Sequence, residues 1–174
     1  MKISLESVKE LRKITSASVS DCKSALQDSG ADIHKAVELL RKRGLELASR
    51  RKDRKTQEGR IESYVHTGNK LGVLLEVNSE TDFVAKNSDF SQFTKDLTMQ
   101  ITASNPLYIK REDVPKEAIA QEKDKELFFK EHCLLEQPFI KDPSITIEDY
   151  LGNLIAKMGE NIVIRRFVRY KVGE

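Results

Sequence analysis

Residues Glu80-Thr81-Asp82-Phe83-Val84-Ala85 set a carboxylate directly beside a large aromatic. The pair falls just after a strand-like run and at the start of a helix-like one, a junction from which side chains can project. An apolar anchor with a charge next to it suits insertion into a partner's pocket. Taken alone, the segment also fits a blander arrangement, in which Phe83 packs inward and Asp82 caps the helix. No other constellation offers comparable chemistry. The chain has no GxxxxGK[ST] loop, no GxGxxG after a strand, no HExxH and no GxSxG. His132 and Cys133 are adjacent, but neighbours on a helix point about 100° apart and make no chelating face. Glu131 and Glu136 read as surface acids. His66, near a hairpin tip, is either a strand residue at the water line or a polar contact to a partner.

Composition narrows the classes. At 174 residues the chain can bury roughly 70% of its unfolded surface, enough for a core. With 39% hydrophobic and 33% charged residues it falls in the globular range, and no apolar run approaches a membrane span. The start, Met1-Lys2-Ile3-Ser4-Leu5, goes straight into an amphipathic pattern without a long apolar h-region, so neither a secretory signal nor a transit peptide is expected. Cys22 and Cys133 lie far apart without a CxxC motif, so neither a disulfide framework nor a zinc site is expected, and a reducing, cytoplasmic setting fits. No cofactor is implied. The net charge of +2 is uneven: residues 41–60 hold nine Lys or Arg against three acids. Such a segment could contact RNA or an acidic protein face. A solvated helix end plus linker is the commoner cause, and no aromatics are interleaved for base stacking.

The elements that must position these residues follow from periodicity. Leu5, Val8, Leu11 and Ile14 mark a short amphipathic helix with Ser4 as N-cap. Ser20 can cap a second helix through Cys22, Ala25 and Leu26, ended by Gly30. Asp32 can cap a third, with Gly44 as its stop or bend. Residues 50–59 contain no apolar side chain and read as a linker that could continue the helix at its start. From Arg60 the period becomes two. Ile61 to Thr67, the Gly68-Asn69 turn and Leu71 to Val77 predict a β-hairpin. Phe90, Phe93, Leu97 and Ile101 give a helix capped by Ser88 or Asp89 and terminated by Asn105-Pro106. Pro115 opens a helix running to about Leu135. Pro138 and Pro143 bound a loop, Thr146 caps a helix ended by Gly159, and Asn161 to Val172 is a strand. The expected fold is α+β: a three-helix bundle (residues 1–45), a basic linker (46–59) and an α+β core (60–174) whose three-stranded antiparallel sheet is covered by helices on one face.

Read in order, Leu11 to Thr15, Asp21 to Leu26, Gly30 to Ile33, Ala36 and Leu40-Arg41 resemble the N-terminal domain of the elongation factor Ts family. His66-Thr67-Gly68, Leu71 to Asn78 and Thr81 to Ala85 resemble its core, and Gly159-Glu160-Asn161-Ile162-Val163-Ile164-Arg165-Arg166 its closing strand. Lys110 to Val114 and Glu136 to Ile140 also match. The TDFVA segment together with GENIxIRR is specific, whereas either alone is weak. The resemblance implies a translation factor that is not an enzyme. It would bind elongation factor Tu carrying GDP and speed nucleotide loss by disturbing the partner's magnesium and phosphate site. It assigns that contact to Thr81, Asp82, Phe83 and Val84: Phe83 as a wedge, Asp82 against the magnesium shell, and Thr81 and Val84 shaping the turn. It assigns docking by a ubiquitin-associated-like bundle to Arg12, Val19 and Lys23. Two departures stand out: Ser16-Ala17-Ser18 where many relatives have Gly-Ala-Gly, and Val19-Ser20 where a methionine pair is commoner. Long members carry a duplicated core and a helical insertion. This chain shows one strand set, short relatives pair two copies, and an uncovered sheet edge favours pairing, so monomer and homodimer both stay open. Neither a membrane nor a direct nucleic-acid partner is expected. Two alternatives stay open: an RNA- or ribosome-associated basic protein, and an adaptor whose bundle binds a ubiquitin-like fold.

Overall fold

A computed structural model describes residues 3–15, 17–120 and 122–174. Three helices come first: α1 (Leu5–Thr15), α2 (Val19–Asp28) and α3 (Ile33–Arg51). Ser4 accepts from the Ser7 N–H at the start of α1, and the Asp32 side chain caps α3 through the Lys35 N–H. The cap of α2 is Ser18, not Ser20: its hydroxyl accepts from the Asp21 N–H at 3.0 Å and donates to the Asp21 carboxylate at 2.6 Å. A serine with an acid three residues on closes two bonds at once, which starts the helix earlier than the apolar pattern alone suggests. Val8, Leu11, Cys22, Ala25, Leu26, Ala36 and Leu40 form the bundle's own apolar cluster.

Gly44 does not stop α3. The helix continues to Arg51 because Gly44 is needed for packing. A Cβ built there would lie 3.3 Å from the Gly152 carbonyl oxygen, and one at Gly152 would lie 3.2 Å from Leu45 Cδ2. The two glycines let α3 cross close to helix α8 (Ile147–Met158). Arg41 reaches the buried Asp149 of α8 at 3.2 Å, and Arg51 donates to the Ile155 carbonyl at 3.0 Å.

The sheet has the order β1 (Glu58–Val65), β2 (Leu71–Ser79), β5 (Ile162–Lys171), all antiparallel. Its inner face carries Val73, Leu75 and Val77 against Phe90, Phe93, Leu97 and Ile101 of α5 (Ser88–Ser104), with Leu154, Ile155, Ile162 and Ile164 completing the core. One-sided cover matches the expected α+β architecture. The outer face is bare. Register puts Ile61 with Glu76 and Arg166, Ser63 with Leu74 and Val168, and Val65 with Gly72 and Tyr170 in three rows across it.

Three further differences from the sequence reading have local causes. The cap of α5 is Asn87, whose side chain accepts from the Asp89 N–H at 2.8 Å, not Ser88 or Asp89. The single helix expected from Pro115 to Leu135 is two, α6 (Lys116–Ala120) and α7 (Lys125–His132), because Asp124 starts a new helix by capping the Leu127 N–H. The expected loop between Pro138 and Pro143 is a small ribbon of β3 (Pro138–Phe139) and β4 (Asp142–Thr146), and Gln100 secures it by accepting from the Ile140 N–H at 2.9 Å. Thr146 and Asp149 cap α8 reciprocally at 3.1 Å each, and Gly159 ends it at φ 76°.

Candidate functional site

Strand β2 ends at Ser79, and after Glu80 and the extended Thr81 the chain enters α4 (Asp82–Ala85), a single turn. Val84 and Ala85 are buried. Successive helical side chains are about 100° apart, so burying that pair turns Phe83 outward. Phe83 is 81% exposed, the highest value for any large hydrophobic side chain among the described residues. The blander arrangement is therefore corrected on both counts. Phe83 does not pack inward, and Asp82 is not the cap. The cap position is Thr81, whose side chain makes no capping bond. Asp82 instead accepts from Lys86 Nζ at 2.7 Å, one turn along. That hydrogen bond holds its carboxyl below the ordinary range, so it is fully ionised at neutral pH.

The tip is held from outside its own turn. Glu160 accepts from the Thr81 N–H at 3.0 Å and from the Thr81 hydroxyl at 2.7 Å. In return Glu80 accepts from the Asn161 N–H at 2.6 Å. The buried Asn161 donates its side-chain amide to the carbonyls of Lys52 and Arg54, at 3.3 and 2.9 Å, and Arg54 pairs with Glu80 at 3.4 Å. Ser79 Oγ donates to the Thr81 carbonyl at 2.8 Å. Glu80, Glu160 and Asn161 carry no role in the sequence reading. Glu160 and Asn161 stand within GENIxIRR and Glu80 directly precedes TDFVA, but spacing could not show that the two segments touch.

Arg12, Val19 and Lys23 are all exposed, near the α1–α2 junction. Val19 and Lys23 are four apart and share one side of α2. Val19 is 55% exposed, a small apolar contact on an open surface. Ser16 lies outside the described residues. Ser18 sits at φ −63° and ψ 155°, an ordinary extended conformation, so the serine costs no strain there. His66 lies in the β1–β2 turn, with Nδ1 3.0 Å from the Tyr64 hydroxyl. Register puts that turn at the opposite end of β2 from Glu80, roughly 25 Å away, so His66 is not part of the tip.

Five of the nine bases in residues 41–60 engage the chain's own groups. Arg41 pairs with Asp149, Arg43 with Asp28, Arg54 with Glu80 and Arg60 with Glu62, while Arg51 holds the Ile155 carbonyl. Among the described residues no group of His, Cys, Asp and Glu could hold a metal ion, and no helix is long and apolar enough to cross a membrane.

Comparison with known proteins bears on the same segments. The family model described as Elongation factor TS matches residues 2–127 and 125–174. Elongation factor Ts of Carboxydothermus hydrogenoformans is 47% identical over 195 aligned positions, covering 99% of this chain and 90% of that protein. The Thermodesulfovibrio yellowstonii protein of the same name is 47% identical over 196 positions, covering 100% and 98%. That of Syntrophomonas wolfei is 48% identical over 195 positions, covering 99% and 91%. The two matched pieces meet at the start of α7, beside the break between α6 and α7. With both the bundle and the core matched, the chain belongs to the elongation factor Ts family and is a translation elongation factor.

Proposed function

We propose that this protein acts by binding, as the guanine-nucleotide exchange factor of elongation factor Tu, and catalyses no covalent chemistry. The observation that carries this reading is the exposure of Phe83 beside an ionised carboxylate on a braced turn. An aromatic so exposed contributes little to the free fold and has most of its apolar surface available to a partner. In the proposed complex Phe83 enters a crevice of the GTPase domain. Asp82 leaves Lys86 and competes for the partner's magnesium shell. Thr81 and the buried Val84 fix the turn that presents both. Arg12, Val19 and Lys23 grip a second face of the GTPase domain and supply affinity and orientation.

Thermodynamics sets the scale. Whatever factor by which this protein weakens GDP binding, GDP weakens its binding equally. A thousandfold effect needs about 4 kcal/mol of differential interaction. Burying one phenylalanine contributes about 1.5–3 kcal/mol. The wedge therefore needs help, and the loss of metal neutralisation at the phosphates, which scales with the ion's charge, supplies it.

The bare sheet face supports a second element of the proposal, a homodimer. Ile61, Val65, Leu74 and Tyr170 are exposed there at 63%, 62%, 47% and 72%, with the Glu76–Arg166 pair (2.6 Å) closing one end. Two such faces stacked about 10 Å apart would bury each other's rows. Release of a fluorescent GDP analogue from elongation factor Tu, measured with wild type, Asp82→Ala and Phe83→Ala, tests the exchange reading. Acceleration by wild type that both variants lose supports it. Identical traces with and without the chain would end it. Sedimentation of wild type against Leu74→Asp tests the dimer, which predicts a shift from two copies to one.

A further inference from the structure

We infer that Glu160 is a positioning residue for the tip: it holds Thr81 so that Phe83 and Asp82 stand out in one fixed direction. This rests on the exchange reading and adds a part to it. The need for outside support follows from the turn itself. Helix α4 has four residues, and a helix that short does not persist by its own hydrogen bonds. Its cap position is filled by Thr81, but the hydroxyl that would cap it is spent on Glu160, and the Thr81 N–H is spent there too. One carboxylate thus takes both donors of the residue that aims the turn. The opposite exchange, Glu80 to the Asn161 N–H, locks the same two segments from the other side. Asn161 then fixes the pair to the carbonyls just beyond α3.

Position along the chain makes this informative. Glu160 and Asn161 sit between the end of α8 and the start of β5, about eighty residues from the tip, and β5 pairs with β2 along its length, with one β-bulge at Glu76/Val77. The tip is therefore referenced to the sheet, not to a flexible loop. An unlatched turn would still offer a phenylalanine and a carboxylate, but in many directions. Loss of aim at a reacting centre lowers rate more than affinity when other contacts hold the complex.

The test is GDP-analogue release from elongation factor Tu over a range of full-length chain, which separates the maximal stimulated rate from the half-saturating concentration. Glu160→Ala is expected to lower the maximal rate about tenfold, equal to about 1.4 kcal/mol, with the half-saturating concentration moving less than about twofold. Amide exchange of the free chain at residues 82–86 should speed up in parallel. Glu160→Gln should restore both, because its carbonyl still accepts from the Thr81 N–H and its NH₂ can donate to the Thr81 hydroxyl. Thr81→Val removes only the hydroxyl bond and gives a smaller loss of maximal rate. It decides the matter should Glu160→Ala not fold. If Glu160→Ala melts earlier but reaches the wild-type maximal rate, or if only the half-saturating concentration changes, the latch is overturned while the exchange reading stands. If wild type itself leaves GDP release unchanged, both fall.

Discussion

Phe83→Ala isolates the wedge from the scaffold. In the free chain the Phe83 side chain is 81% exposed, so truncation removes almost no buried surface and leaves no cavity. Folding stability should stay within about 0.5 kcal/mol of wild type, as for surface substitutions generally. In the proposed complex the same ring is buried, a gain of about 1.5–3 kcal/mol. If that gain is realised only as nucleotide leaves, its loss slows stimulated GDP release by about 10-fold to 150-fold. Phe83→Leu keeps part of the apolar volume and should fall between the two. The assay is release of a fluorescent GDP analogue from elongation factor Tu, with urea unfolding of each free variant as control. An alanine variant that releases GDP as fast as wild type would refute the reasoning. So would a large drop in its urea midpoint, because the ring would then be part of the fold.

Other perturbations probe the frame. Gly44→Val pushes a branched side chain against the backbone of Gly152, which cannot move aside as a side chain would, and should cost about 1–3 kcal/mol. At this chain length that is a fall in Tm of about 2–4 °C per kcal/mol, read by thermal circular dichroism. The Arg111 guanidinium beside Glu136 holds that carboxyl below its ordinary range. A lowered folded-state value contributes stability above the unfolded value of about 4.3, lost as pH falls through the folded one. Urea midpoints should therefore drop below about pH 4.3, and Glu136→Gln should flatten that limb. Burial pushes the Cys133 thiol up to about 11. A disulfide reagent at pH 8 should then label it slowly in the native chain and rapidly in urea.

Much of this fold was written in local pattern. Ser4, Asp32, Thr146, Asn105 and Gly159 act at the termini where their chemistry suggests, and the Gly68-Asn69 turn joins the expected strands. Two of the differences come from a residue type with two uses. Gly44 looks like a helix stop when only its own helix is considered, and becomes a packing site once α8 lies against it. Pro138 and Pro143 look like loop residues until Gln100 reaches across to hold the ribbon between them. At the tip, the sequence marked Asp82 and Phe83, but their direction depended on Val84 and Ala85 finding the core. The partners Glu160 and Asn161 are hydrogen-bonded across about eighty residues, beyond any periodicity.

The glycine crossing of α3 and α8 bears on avidity. Beyond α3 the chain has only a short stretch before β1, and a freely jointed bundle there would search for its own landing place after the tip had docked. The close crossing, with Arg41 on Asp149, joins bundle and core at a set angle. For two docking faces carried on one rigid body, the second encounter is intramolecular, and most of the orientational entropy is lost in the first. In the proposed complex, partner discrimination would then depend on the spacing between two separate patches, which a look-alike GTPase matching only one of them would fail to meet.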